Sequence, residues 1–578
     1  MNHNEITINS LAKSISGKIV GSKEFKSPEG FTGIFNILKD ASPGDIVIRH
    51  WIDEKGVEIA SGKNVACVIT EDPRGNSIAI ARERRFPLIV VDKIEEANAY
   101  ALKWTIDKFA PNSKKVIISG TNGKSTTSHM IFHILNTMGA NALTNTDSKS
   151  EFNTLIDPMI PKLISEEILY NNFNNSINNN INSNNSNSNN NKNNSNNQGN
   201  YEDNKGDNNE NNNGDDGEGK DLEYLVIEAS EVQGWLGKLM KDHAYLMTEA
   251  VDPDTAVITN IAMDHIGLVN SIEEVFQETS GVARALKKGT LVLNHDDAMV
   301  LSMDKFIDGK IAKFYFSMEN FDKNRNIVDI NTLNSNSNSN NFSLKYDSME
   351  EAIIYNDEHM LNIKDLPFKS SHFIQNTLAA ISACLSLEIP IPDIVKGVKS
   401  YKPLKRRFKK IHNNPIIIDD FAHNPEGIKA TVNSVADLSK NKLKIICAIR
   451  GSRGEEINKI NAEALAKIVN QINSNVIVNS NSNSINNNNN HIKSKINLIL
   501  SSSCDVVDEL NVVEDYEEKI FFDILNKEKV DYTHYENLYD AIFETYNKSN
   551  EDDVILLIGA QGMDPAENIL KRIINNKT

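Results

Sequence analysis

The chain has 578 residues, 39% of them apolar and 24% charged, which is too long for one hydrophobic core and predicts about two to four globular domains. A formal charge of −18 excludes a general nucleic-acid binder, which needs an excess of Lys and Arg against phosphate. Cys67, Cys384, Cys447 and Cys504 are scattered and form no CxxC pair, so they read as buried small hydrophobes in a reducing compartment rather than as a disulfide or zinc framework. No charged-then-apolar leader opens the sequence and no apolar run reaches the roughly 18 residues a membrane span needs; the expected location is the cytoplasm, without membrane insertion.

Residues 1–106 alternate short strands and helices. Apolar runs at Asp45–Ile48, Val65–Ile69 and Pro87–Val91, with turns at Pro43-Gly44 and Pro73-Arg74-Gly75 and a helix from about Ile94, predict a small α/β domain. The next segment carries the strongest local signal. Val116-Ile117-Ile118-Ser119 runs through Gly120-Thr121-Asn122-Gly123-Lys124-Ser125-Thr126 into a helix with Ile131, Ile134, Leu135 and Met138 at helical spacing. Strand, glycine turn and helix N-terminus together cradle an anion. Lys124 adds a charge for outer phosphates and Ser125 a hydroxyl suited to Mg²⁺. Ile118 stands where the longer P-loop pattern wants its first glycine, so the match is to a shorter loop.

Asn supplies 19 of the 30 residues from 171 to 200, and residues 201–220 carry seven acidic against two basic side chains; a surface insert without a core is expected over about 171–219. The Asn/Ser tracts at 331–341 and 473–490 are expected to extend surface loops in the same way.

Beyond the insert, the strand Tyr224–Ile227 ends at Glu228-Ala229-Ser230-Glu231. The strand Thr255–Thr259 ends at Asn260, with Asp264-His265 just beyond. Strand ends beside a phosphate loop are where α/β sheets place ligand groups. Singly, His265 reads as a capping or core histidine and Glu228 as a solvated strand end. Together with Ser125 they offer a hydroxyl, a carboxylate and an imidazole to one metal ion. Ser271 and Glu274 form a capping-box pattern for a helix whose apolar positions include Ile272, Val275, Phe276 and Leu286. From about residue 401 the strands Ile416–Ile418, Lys444–Ala448, Leu498–Leu500 and Val554–Ile558 alternate with helical segments, which predicts a Rossmann-like domain. Its strands end in Asp419-Asp420-Phe421-Ala422-His423-Asn424-Pro425, Gly451-Ser452-Arg453-Gly454 and Gly559-Ala560-Gln561-Gly562.

In order, these motifs resemble those of the Mur ligase family of ATP-dependent peptide-forming enzymes. The resemblance rests on Gly120–Thr126, on Glu228 in a V-x-E-x-S setting, on Asn260-Ile261-Ala262-Met263-Asp264-His265, on Leu293-Asn294-His295-Asp296-Asp297, and on Asn376, Arg407 and Asp420–Pro425. It implies three α/β domains: an N-terminal domain at 1–106 for a UDP-type acceptor, a central P-loop ATPase domain at 107–400 with the insert, and a C-terminal Rossmann-like ligase domain at 401–578. It further implies ATP and Mg²⁺ as cofactors, with an amino acid joined to a carboxylate through an acyl phosphate. Lys124, Glu228 and His265 are then the catalytic candidates, and Ser125, Glu228 and His265 the metal candidates. Gly120 to Thr126, Asn260, Asn376, Arg407, Asp420 and His423 are candidates for nucleotide contact. The implied partners are a UDP-linked peptide acceptor and a free amino acid, and the closest look is to the archaeal branch proposed to build the pseudomurein peptide.

Departures from the pattern bear on that expectation. Many members place a carbamylated lysine on the helix after the D-H pair, where this chain has Thr279-Ser280 and no lysine until Lys287. The loop that carries a D-N-P-R motif in the diaminopimelate-adding branch reads Ser501–Val506 here, without arginine. The rival readings are a folylpolyglutamate- or cyanophycin-type ligase, which the separate N-terminal domain disfavours, and a nucleotide-binding regulator that has lost ligation.

Overall fold

The computed structural model of the chain describes residues 6–25, 30–146, 154–169, 221–236, 238–263, 267–318, 342–436, 438–439, 441–481, 495–509 and 511–576. The expected insert at 171–219, the tract at 331–341, residues 482–490, and Asp264 and His265 lie outside them. By contacts the chain forms two units: 1–113 with 141–143 and 155–225, and 114–140 with 144–154 and 226–578.

In the first unit, five strands lie in the order Lys18–Val20, Leu88–Val90, Cys67–Thr70, Ile46–Ile48 and Phe35–Asn36. All neighbours are parallel except the Lys18–Val20 edge, which runs antiparallel to Leu88–Val90. Apolar runs make buried parallel strands because helices cover both faces. Here Ile46, Ile48, Cys67 and Ile69 pack on one face and Val47, Val68 and Leu88 on the other.

The second unit holds two large sheets and a short two-stranded one, Gly234–Trp235 with Lys238–Leu239. The largest has nine strands, Glu358–Asn362, Ala352–Tyr355, Phe342–Asp347, Ala312–Ser317, Thr290–Asn294, Thr255–Ile258, Lys114–Ser119, Tyr224–Glu228 and Ala142–Thr144 in spatial order. Lys114–Ser119 and Thr255–Ile258 pair in parallel with Ser119 opposite Ile258, so the phosphate loop and Asn260 leave the sheet at the same level. The second sheet has six strands, Lys409–Asn413, Ile416–Asp420, Val554–Ile558, Lys442–Ala448, Lys495–Ser501 and Tyr532–Tyr535, parallel except for the first. Its strands alternate side chains between two cores. Ile445, Cys447, Leu498 and Leu556 pack under the helices Pro425–Ala436, Glu455–Asn481 and Asp515–Lys527; Ile446, Ile499 and Leu557 pack under Leu538–Asn547 and Ala566–Asn575. This mixed α/β architecture is the expected one.

Three local expectations are corrected. The Asn-rich tract expected to be a loop from 473 is helical as far as Asn481. A helix already nucleated and packed through Leu465, Val469 and Ile472 propagates into poor helix formers at small cost per residue, and Asn473 Oδ1 accepts the Ile496 N–H at 2.8 Å. The helix expected from Ile272 through Leu286 is two helices, Ile272–Thr279 and Gly281–Ala285, with Leu286 beyond the second. At Gly281 a Cβ would lie 2.7 Å from Tyr245 N, so the chain there is pressed against the helix His243–Val251. Of the four cysteines, Cys504 is exposed, since it follows the tip of its strand in the Ser501–Asp505 loop.

Candidate active site

The strand Lys114–Ser119 is buried along Val116-Ile117-Ile118 and delivers Gly120 at φ +124° and Gly123 at φ +87°. Both turns need glycine. A Cβ on Gly120 would meet Thr259 Oγ1 at 2.3 Å, and one on Gly123 would meet Asn376 Oδ1 at 2.1 Å. Gly123 is the N-cap of the helix Lys124–Thr137 and supplies no capping side chain. The first-turn N–H groups therefore face the loop, as an anion site requires.

The loop is clamped from the neighbouring strand end. Asn260 Oδ1 accepts from Asn122 N at 3.0 Å while its Nδ2 donates to Asn122 O at 2.8 Å. Thr259 Oγ1 donates to the same carbonyl at 2.7 Å, and Thr121 N donates to Asn260 O at 2.9 Å. Asn260 thus spends its amide on the loop. The Leu293–Asp297 motif stands behind it: Asn294 Nδ2 bonds Thr259 O at 2.8 Å, and Asp297 Oδ2 accepts Ile261 N at 2.7 Å.

Lys124 Nζ bonds Gly120 O (2.7 Å), Thr121 O (3.0 Å) and Glu231 Oε2 (2.7 Å), the last a carboxylate with no exposure. Ser125 Oγ donates to Glu228 Oε1 at 3.0 Å, and Thr146 Oγ1 donates to Glu228 Oε2 at 3.1 Å. The Glu228 backbone is pinned through both its N–H and its C=O by Asn145, at 2.8 and 2.9 Å. Ser125 Oγ and Glu228 Oε1 are hard oxygen donors beside a phosphate-type loop, and they fit a hard divalent ion such as Mg²⁺. Among the described residues no cluster of three or more His, Cys, Asp or Glu forms a ready metal site. Thr126 is half-buried in the first helical turn.

The six-stranded sheet contributes the opposite wall. Arg407 Nη2 reaches Ser125 Oγ at 3.2 Å, its guanidinium 4.9 Å from the Phe421 ring centroid. Burial lowers the Arg407 pKa, while the carboxylates of Glu228 and Asp420 push it back up, so this cation is paid for by the two acids that face it. Asn424 Nδ2 donates to Asn122 Oδ1 at 3.2 Å, and Asn376, on the helix Ser371–Ser386, lies over Gly123. Asp420 is engaged within its own domain: Oδ1 accepts Phe408 N at 2.8 Å and Oδ2 accepts Thr431 Oγ1. His423 Nδ1 lies 2.7 Å from Phe421 O; a carbonyl only accepts, so Nδ1 carries the proton there. With Met263, Arg450 and Asn461, His423 lines a small cleft.

Of the residues expected from sequence, Gly120 to Ser125, Glu228, Asn260, Asn376 and Arg407 thus converge, Asp420 and His423 stand on the adjoining strand end, and His265 falls outside the described residues. Sequence reasoning gave no role to Glu231, Thr146, Asn145, Asn424 by itself, or Arg406. The last is buried beside Arg407 and bonded to Asp419, to Asp564 and to three backbone carbonyls.

Comparison with known proteins agrees with this geometry. The profile described as Mur ligase middle domain matches residues 118–384, and that described as Mur ligase, glutamate ligase domain, matches residues 406–561. A UDP-N-acetylmuramate–L-alanine ligase of Sulfurihydrogenibium is 28% identical over 240 residues, 41% of this chain and 46% of that protein. One from Acetivibrio thermocellus is 31% identical over 215 residues, 37% and 40% of the two chains. The match therefore spans less than half the length of these curated relatives. Among solved structures, MurF from Acinetobacter baumannii superposes with a TM-score of 0.58 at 14% identity over 98% of both chains. A pseudomurein peptide ligase type C from Methanothermus fervidus gives 0.50 at 17% identity over 93% of this chain and 96% of that one. At such identities the structural matches speak for the fold alone.

Proposed function

This chain belongs to the Mur ligase family, and on that premise we propose that it is an ATP-dependent acid–amino-acid ligase acting on a nucleotide-linked precursor of a cell-wall polymer. The observation that carries the reading is the convergence at Ser125. At the end of the glycine loop, a buried carboxylate from one strand end and an arginine from the turn before the second sheet meet within hydrogen-bond distance of its hydroxyl.

The reaction has two steps. An acceptor carboxylate oxygen bonds the γ-phosphorus of ATP as the bond to the leaving ADP oxygen breaks, giving an acyl phosphate. The amino group of the incoming amino acid then attacks the acyl carbon, loses a proton and expels phosphate, leaving an amide. Phosphoryl transfer of this kind needs positioning and charge more than covalent help. The loop N–H groups hold the phosphates, Lys124 and Arg407 supply positive charge from opposite walls, and Asn260 keeps the loop in shape. Mg²⁺, when bound at Ser125 and Glu228, supplies further neutralisation of phosphate charge. His265 is proposed as an additional ligand from its place in the motif.

The proposed division of labour is acceptor binding by residues 1–106, ATP chemistry by 107–400 and amino-acid delivery by 401–578. A UDP-linked peptide is the proposed acceptor, of the pseudomurein or murein type. No described helix is long and apolar enough to cross a membrane, in keeping with a proposed cytoplasmic place for such a step. The test is phosphate release from Mg·ATP by the purified full chain, offered UDP-linked peptides and a panel of single amino acids, with mass spectrometry of the products. Release that requires both partners and yields an amide supports the ligase; ATP binding with no coupled release for any pair overturns it.

A further inference from the structure

Arg406 and Arg407 are neighbours with separate surroundings. Arg407 faces Ser125 across the cleft. Arg406 is 2% exposed and all five of its N–H donors have acceptors. Nε bonds Asp419 Oδ1 at 3.1 Å; Nη1 bonds Ala560 O at 2.8 Å and Asp564 Oδ1 at 2.5 Å; Nη2 bonds Gly559 O at 2.6 Å and Asp420 O at 3.3 Å. These acceptors belong to the ends of two adjacent parallel strands, Ile416–Asp420 and Val554–Ile558, and to the loop after the second.

The backbone on either side of Arg407 is unusual. Arg406 has φ +60° and Phe408 φ +51°, both in the left-handed region that non-glycine residues rarely occupy. Such a turn persists only where its surroundings over-determine it. Three backbone bonds do so: Phe421 N to Arg406 O (2.8 Å), Arg407 N to Leu404 O (3.2 Å) and Phe408 N to Asp420 Oδ1 (2.8 Å). The planar fork of the Arg406 guanidinium adds the rest, and a lysine could not reach acceptors in five directions.

We propose that Arg406 is a positioning residue that aims Arg407 at the phosphate loop. Its guanidinium locks the turn to two strand ends, so the neighbouring side chain leaves in the one direction that meets Ser125. Both guanidiniums lie against the same ring, Phe421, at 5.1 and 4.9 Å, so displacement of the first moves the platform of the second. The inference rests on the proposed reading of this cleft as the ATP site.

The experiment is calorimetric binding of Mg·ATP to the full chain in four forms: wild type, Arg406→Lys, Arg407→Ala and the double variant. The expected result is about a tenfold weakening for each single change and no further loss in the double, because a mis-aimed arginine and a missing one are equivalent. Since Arg406→Lys can lower the folded fraction, Asp564→Asn provides a milder probe: it removes one arm of the clamp at a residue whose side chain is half exposed. It should weaken Mg·ATP about threefold in the wild type and not at all in the Arg407→Ala background. Independent effects, multiplying to about a hundredfold in the double variant, would overturn the positioning role and leave Arg406 a fold element. Loss of binding in Lys124→Ala checks the site reading separately; a wild type that bound no Mg·ATP would remove that reading and this inference with it.

Discussion

Two turns meet over Ser125, and they are built by opposite means. The phosphate loop takes its positive φ values at Gly120 and Gly123 and is held through its own backbone by Asn260, Thr259 and Thr121. The Arg406–Phe408 turn takes its positive φ values at an arginine and a phenylalanine and is held by a buried guanidinium. The first uses residues for which the conformation costs nothing sterically. The second accepts about 1–2 kcal/mol per left-handed residue and offsets it with charge-assisted bonds that a glycine could not make. A loop proposed to let phosphate approach its backbone has no room for side chains, whereas a turn proposed to aim one side chain can use another as its brace.

Lys124→Ala tests the loop most strongly. Phosphate release with the acceptor and amino acid found by the panel should fall by about 10²–10³-fold, the usual range for removing one preorganised donor to developing charge. Because Glu231 would lose its buried cation, Lys124→Ala with Glu231→Gln should recover thermal stability without recovering turnover; wild-type ligation by either variant would refute the role of Lys124. On the other turn, Arg406→Gly separates backbone ease from side-chain bracing. Loss of a buried pair partner costs about 3–5 kcal/mol, the relaxed φ returns about 1–2 kcal/mol, and the net should be a lower denaturation midpoint. A variant as stable as the wild type would show that the guanidinium is no brace.

The brace also carries a pH signature. Burial pushes Asp419 up from the ordinary carboxylate value to about 6, with Arg406 opposing the shift only in part. The folded state then holds this proton more tightly than the unfolded chain. Ionisation costs stability as pH rises from about 4 to about 6, and the contribution is most favourable below that window. The stability of the wild type relative to Asp419→Asn should accordingly decline by about 2–3 kcal/mol between pH 4 and pH 7, measured by denaturant unfolding at each pH; a difference that stays flat would contradict the buried, ionising Asp419. The smallest effect is expected for Gly123→Ala, about 1–2 kcal/mol of strain from its φ of +87° plus the clash with Asn376. Adding Asn376→Ala should relieve the clash and leave the strain, and full recovery of Mg·ATP affinity in that pair would mean that φ at 123 is immaterial.

How much of this was legible in sequence follows from range. Gly120, Gly123, Lys124 and Ser125 sit in one short segment whose spacing is itself the signal, and Glu228, Asn260 and Asp420 sit where apolar strands run out. Glu231 was visible only as part of a strand end, since its partner Lys124 is 107 positions away. Thr146 lies 82 positions from Glu228, and the Gly559 carbonyl 153 from Arg406. By spacing alone a doubled Arg gives no hint of which member points outward, so Arg407 was singled out only by the motif resemblance, and the Asn tract after 473 hid a helix because composition ignores what the preceding turns already pack against.

The sequence by itself determined the apolar strands that end at Glu228, Asn260 and Asp420 and the glycine turn before Lys124, because those depend on local periodicity and on glycine's freedom at two positions. Tertiary structure alone decided which charges are paired, that Asn260 serves the loop backbone, and that Arg406 is buried and clamped to two strand ends beside Arg407. Those outcomes are set by desolvation and by hydrogen-bond geometry among residues far apart in the chain, and neither exists until the sheets have packed.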